Sequence, residues 1–119
     1  MKLTEYQFIF TKNIAKLILF AYEKGFTLSF GEAYRPQEMQ EIYFNKNLSR
    51  TLNSYHSKRL AVDFNFFKNG VLTYNFSDIK ILGVYWSSLH KNNTWGGDFN
   101  NDGKKNGFVD TPHFEMKIN

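Results

Sequence analysis

Ala61-Val62-Asp63-Phe64-Asn65-Phe66-Phe67-Lys68-Asn69-Gly70-Val71-Leu72-Thr73-Tyr74 reads as a strand, a tight turn and a returning strand. Val62, Phe64 and Phe66 recur with period two and share one face, while Ala61, Asp63 and Asn65 share the other. Lys68-Asn69-Gly70 supplies the Asn-Gly pair that a two-residue hairpin turn needs, because both central residues take positive φ. The apolar face must be covered. Asp63, on the less apolar face, needs a cation, hydrogen-bond donors or water.

Working outward, residues 4 to about 24 predict an amphipathic helix. Phe10, Ile14, Leu17, Ile18 and Ala21 fall on one stripe, and Gly25 stops it. Phe26–Phe30 alternates as a strand. Pro36 suits the first turn of a second helix reaching about Asn45, with Glu38 and Glu41 near its N-terminal half. A polar loop is expected over Asn45–Ser54. Ser77 or Asp78 is expected to cap a third helix running to about His90. A Gly/Asn/Asp-rich loop covers Lys91 to Gly107, and the chain closes in a short strand, His113 to Ile118. Helices mixed with hairpin strands, without repeat or linker, predict one α+β domain over residues 1–119: a small antiparallel sheet packed with helices.

Composition narrows the chemistry. At 42% hydrophobic residues, with 13 Phe, the chain can build a core, and the absence of cysteine excludes disulfides and thiolate metal sites. A net charge of +4 favours anionic partners, the carboxylate-rich cell wall among them. Nucleic-acid binding is not expected, because no dense Lys/Arg stripe accompanies the charge. The apolar run Leu17-Ile18-Leu19-Phe20-Ala21 is too short for stable membrane insertion, and no secretory signal stands at the N-terminus.

The titratable groups that can meet lie in two segments. Ser54-Tyr55-His56-Ser57-Lys58-Arg59-Leu60-Ala61-Val62-Asp63 carries one histidine and one carboxylate. Asp110-Thr111-Pro112-His113-Phe114-Glu115 carries the other set. On the last strand His113 and Glu115 share a face, with Phe114 and Met116 opposite. If that strand pairs beside the Asp63 strand, His56, Asp63 and His113 converge in an N,N,O set that zinc accepts with a position left open. Duller readings compete. His56 could be a loop histidine, His113 a satisfied core histidine, and Asp63 a partner of Arg59 or Lys58. Asp110 could be a turn residue. Arg35 could lie over aromatics or pair with Glu32 or Glu38. His90, near a helix end, suits a solvated or dipole-favoured role.

Ser54-x-His56 followed by Leu60-Ala61-Val62-Asp63 resembles the SxHxxGxAxD signature of the D-Ala-D-Ala carboxypeptidase and L-alanyl-D-glutamate endopeptidase family. Trp95-Gly96-Gly97-Asp98 and Asp110-x-Pro112-His113-Phe114-Glu115 resemble its closing block, and Glu32-Ala33-Tyr34-Arg35 its upstream arginine motif. The small size resembles the phage endolysin branch. The resemblance implies the α+β fold shared with the hedgehog signalling domain, and zinc held by His56, Asp63 and His113. It implies Asp110 as catalytic carboxylate and Arg35 as a contact to substrate or transition state. Ser54 would orient His56 or hold its loop, and Glu115 would support His113 or face solvent. The implied partner is the peptidoglycan stem peptide. The chain is expected to act as a monomer, made in the bacterial cytoplasm and reaching the wall after release. The implied activity is zinc-dependent hydrolysis of stem-peptide bonds, first of all as an L-alanyl-D-glutamate endopeptidase; a D-Ala-D-Ala carboxypeptidase or dipeptidase, or a non-catalytic zinc-containing module, is the alternative. Arg59 departs from the pattern by standing at the usual glycine, implying a variant loop geometry or an added cation near an acidic substrate.

Asp98-Phe99-Asn100-Asn101-Asp102-Gly103 matches the opening of a calcium loop, with oxygen ligands at Asp98, Asn100 and Asp102. Val109 stands where the bidentate Glu is required, so a polar turn competes with Ca2+ binding.

Overall fold

Helix α1 (Leu3–Glu23) buries Phe10, Leu17 and Ala21, with Ile14 and Ile18 packed half-buried beside them, as the stripe predicts. In the computed structural model, residues 1–49, 51, 53–105 and 107–118 are described. Positions 50 and 52 of the expected Asn45–Ser54 loop, and position 106 of the later loop, lie outside them. Strand β1 (Phe26–Phe30) pairs antiparallel with β2 (Ala61–Lys68), Leu28 opposite Phe66. Asn69 and Gly70, at φ 52° and 77°, turn β2 into β3 (Val71–Thr73) with Lys68 opposite Val71. This is the hairpin read from Asn-Gly. Helix α2 (Gln37–Asn45) lies between β1 and β2 in the chain. α3 (Phe76–Leu89), β4 (Asn93–Trp95) and β5 (His113–Met116) follow β3.

The sheet runs β1-β2-β5-β4, with β3 also on β2 and every pair antiparallel. Val62, Phe64 and Phe66 of β2 and Phe114 and Met116 of β5 enter the core, against α1 and α3. Four large rings meet there: Phe114 lies 5.8 Å from Phe66, 6.3 Å from Phe64 and 6.1 Å from Trp86. The Trp86 indole donates to the carbonyls of Thr94 (3.2 Å) and Glu115 (3.0 Å), tying α3 to β4 and β5. Among the described residues no helix is long and apolar enough to cross a membrane.

Several expected boundaries are corrected. Pro36 stands at the N-cap of α2, one position before the first turn. The extended cap of α3 is Asn75, and neither Ser77 nor Asp78. Asp78 lies in the first turn, where its carboxylate accepts from Thr73 Oγ1 (2.7 Å) and Asn75 Nδ2 (3.4 Å). The stretch expected as a loop from Lys91 contains β4, all three of whose residues are buried. β5 ends at Met116, because Ile118 exchanges hydrogen bonds with the Tyr55 hydroxyl instead of a strand.

Arg59 takes a backbone conformation that glycine adopts without strain. It caps the 3-10 turn Tyr55–Lys58 in the left-handed region, at φ 58° and ψ 35°. Its guanidinium stacks 4.0 Å over the Tyr34 ring, which offsets the strain that a side chain brings there. The cation lies on Tyr34 rather than in the cleft described below. Arg59→Gly is expected to leave stability within about 1 kcal/mol, since lost stacking and added unfolded-chain freedom offset relieved strain. Arg59→Val, β-branched at positive φ, is expected to cost about 1–3 kcal/mol. Urea denaturation of the two variants checks both values.

Candidate metal centre

The ladder between β2 and β5 sets Asp63 directly opposite His113 and Ala61 opposite Glu115. Directly opposed residues point to the same side of a sheet, so Asp63, His113 and Glu115 share the face away from Phe114 and Met116. His56 comes from the 3-10 turn that enters β2. Ser54 caps that turn by accepting the His56 amide at 3.2 Å.

The three side chains close on one another. His56 Nε2 lies 3.4 Å from Asp63 Oδ2, and His113 Nδ1 lies 3.1 Å from Asp63 Oδ1. One donor atom from each falls within 4.8 Å of the others. The remaining nitrogen of each ring is engaged: His56 Nδ1 lies 3.1 Å from the Ala33 carbonyl, and His113 Nε2 lies 2.6 Å from Glu115 Oε1. An outer acceptor on each imidazole fixes the tautomer that turns a lone pair inward. Two imidazole nitrogens and a carboxylate oxygen, so oriented, fit zinc. Asp63 is thus paired with the histidines rather than with Lys58 or Arg59, and Glu115 supports His113.

Asp110 lies outside this donor group but beside it. Its amide donates to Gly96 O (2.8 Å), and its carbonyl accepts from His113 N (3.1 Å), closing a turn into β5. These bonds make Asp110 a turn residue, as one reading expected. With Arg35, His56, Asp63 and His113 it lines a cleft of about 470 Å³. Arg35 pairs with Glu32 rather than Glu38; its Nε donates at 2.8 Å and Nη2 also contacts the same carboxylate oxygen. Its Nη1 reaches Gln40 Oε1 (2.7 Å) and Ser54 Oγ (3.4 Å).

Other sites stand apart. His90 Nδ1 accepts the Asn92 amide at 3.0 Å past the end of α3. In the proposed calcium loop, Asp98 accepts the amides of Asp102 (3.0 Å) and Gly103 (2.8 Å), and Asp102 accepts that of Lys104 (2.9 Å). These are turn hydrogen bonds; Asn100 lies in the same loop. Two residues of the cleft wall, and one buried behind Arg35, had no motif to mark them. Gln40 is fully buried in α2, and Phe99 and Phe108 stack 6.0 Å apart on the cleft wall, Phe99 also 6.0 Å from the His113 ring.

Electrostatics follow from this packing. Burial alone would raise Asp63, but hydrogen bonds with His113 and His56 hold it well below the usual carboxylate range. Burial alone would lower His113, yet hydrogen bonds with Asp63 and Glu115 raise it to about 9. Burial raises Asp110, and the Asp63 charge adds to this against His113, His56 and Arg35. In metal-free protein the His113 contribution is complete below its ordinary value of 6.5 and lost as pH rises through about 9. That of Asp63 is lost on acidification below 3.8. The chelator-treated protein is therefore expected to melt lower at pH 9 than at pH 6. Zinc must displace the His113 proton, so its Tm increment should grow over the same interval. Calorimetry at both pH values checks this, and His113→Ala should flatten the alkaline arm.

The profile of the D-alanyl-D-alanine carboxypeptidase family matches residues 47–116, the stretch holding His56, Asp63, Asp110 and His113. The chain belongs to this family. It is a peptidase by that membership, with His56, Asp63 and His113 forming a group that can hold a metal. Among solved structures it is similar to the Serratia marcescens L-Ala D-Glu endopeptidase ChiX, at 20% identity and a TM-score of 0.65 over 96% of this chain and 85% of that one. That likeness bears on the fold, and it agrees with the small α+β architecture predicted from the hairpin. No curated protein matches the chain.

Proposed function

We propose that this peptidase is a zinc-dependent peptidoglycan hydrolase of the endolysin kind, cutting the L-alanyl-D-glutamate bond of stem peptides. The observation that carries the reading is the convergence of His56, Asp63 and His113 beside a carboxylate, Asp110, outside the donor group. A structural ion needs no such neighbour. The similarity to an L-Ala D-Glu endopeptidase supports this bond over D-Ala-D-Ala, which the family description keeps as the second reading.

Zinc held by the three residues supplies an activated water and a Lewis acid for the scissile carbonyl. Asp110 takes the proton of the attacking water and returns it to the leaving amine, a task suited to a carboxyl raised by burial. Arg35 offers its guanidinium to the developing oxyanion, and Glu32 keeps that guanidinium in place. Glu115 holds the His113 ring. The Asp98–Gly103 loop enters this reading as a turn leading to the Asp110 edge, since its bidentate calcium ligand is missing. The enzyme acts as a monomer, made in the host cytoplasm and reaching the wall after release.

Mass spectrometry of a digested cell wall tests the bond. New L-Ala carboxyl and D-Glu amino termini are expected, abolished by chelator and restored by zinc. Free D-Ala instead would establish the carboxypeptidase reading. Zinc uptake without any new terminus would make the chain a non-catalytic module.

A further inference from the structure

Helix α2 has an unusual interior. Its one fully buried residue is Gln40, while Met39, Ile42 and Phe44 of the same helix are exposed. A helix that served only to fill the core would bury the apolar side chains and leave the amide in water. A buried amide is costly unless both ends are hydrogen-bonded, and here both are. Oε1 accepts from Arg35 Nη1 at 2.7 Å; Nε2 donates to Ser49 Oγ at 2.9 Å and also contacts the Thr51 carbonyl. The partners fix which end is which, because a guanidinium only donates and a carbonyl only accepts. Arg35, Ser49 and Thr51 all line the cleft that holds His56, Asp63, Asp110 and His113.

We infer that Gln40 is a positioning residue: its amide fixes Arg35 toward the reacting carbonyl and ties Ser49 and Thr51 of the cleft wall to that same guanidinium. The inference rests on the proposed part of Arg35. Glu32 neutralises Arg35 from one side and Tyr43 lies 4.9 Å beneath it. Glu32 grips Nε and Nη2 through one oxygen, which leaves the planar guanidinium a pivot; Gln40 Oε1, accepting from Nη1 beside the longer contact to Ser54 Oγ, fixes its plane about that pivot.

The two ends of the amide can be separated. Gln40→Met removes both, and Gln40→Glu keeps an acceptor for Arg35 while losing the donor to Ser49 and Thr51. With zinc-loaded protein and a synthetic stem peptide, Gln40→Met is expected to lower kcat about tenfold to a hundredfold without loss of zinc. Gln40→Glu is expected to act mainly on KM. In an Arg35→Ala background, Gln40→Met is expected to add no further loss of kcat. An equal loss in both backgrounds, or wild-type kcat in Gln40→Met, overturns the inference. A readout independent of turnover accompanies it. The Arg35 Nη1 hydrogens, which Gln40 Oε1 accepts, are expected to be protected in 15N-correlated NMR of wild type and Gln40→Glu but to lose that protection in Gln40→Met; an unchanged Nη1 signal also overturns it. If Gln40→Met does not fold, Gln40→Glu decides alone, and wild-type KM in that variant overturns the coupling. A wild-type enzyme inert toward stem peptides would defeat the functional reading, while the NMR comparison would still decide whether Gln40 holds Arg35.

Discussion

Asp110→Asn is expected to lower kcat by about 10²–10⁴-fold while zinc binding persists. The substitution keeps the shape of the side chain and leaves the backbone hydrogen bonds to Gly96 and His113 untouched. What it removes is the capacity to accept a proton. Because the donor group consists of His56, Asp63 and His113, the amide takes no ligand away. His56→Ala and His113→Ala should lose metal and turnover together, since each removes one of the converging donors. The contrast separates base from ligand, and metal analysis beside kinetics reads it directly. Wild-type turnover in Asp110→Asn would end its assignment as the base. Metal loss as complete as in His56→Ala would instead make Asp110 a ligand.

This contrast was foreseeable because the relevant pattern is short-range. Period two in Ala61–Phe67 and in His113–Met116 puts Asp63 and His113 each on the face away from the apolar residues, and pairing the two strands does the rest. Other parts of the site depend on contacts that no local pattern carries. Asn93-Thr94-Trp95 lies in a stretch rich in turn formers, and it is buried as β4 because it pairs with β5 and α3 brings Gly83 against the Trp95 ring. Gln40 is hidden for the opposite reason. Met39, Ile42 and Phe44 suggest an apolar contact face, yet the amide is buried, because its partner Arg35 sits just before the helix. The left-handed backbone at Arg59 is invisible in an arginine and was marked only by the family's glycine at that position. The cap of α3 moved to Asn75 because Asp78 serves the helix start from inside the first turn.

Gly96→Ala is expected to damage stability and turnover together. A Cβ at Gly96 would stand 2.1 Å from the Asp110 carbonyl oxygen and 2.9 Å from His113 Cβ. Neither atom can yield alone. The Gly96 amide donates to His113 O at 2.7 Å and the Asp110 amide donates to Gly96 O at 2.8 Å, so the two segments are clamped on both sides of the clash. Relief requires moving the end of β4 away from the turn that carries both the base and a ligand. Overpacking costs about 1–3 kcal/mol, and two strained hydrogen bonds add about 1 kcal/mol each. The sum, roughly 3–5 kcal/mol, corresponds to a Tm lower by about 10 °C or more in a domain of this size. A displacement near 1 Å at Asp110 and His113 is itself expected to lower kcat/KM by about a hundredfold. Gly103→Ala is the contrast. Its Cβ would meet nothing within 4 Å, so only the left-handed backbone at φ +77° is strained, costing about 1–2 kcal/mol with turnover kept. Thermal melts and stem-peptide kinetics on the pair separate steric from conformational cost. A Gly96→Ala enzyme with wild-type Tm and rate would mean that β4 does not press on the Asp110–His113 turn, and that the base and ligand are held by some other contact.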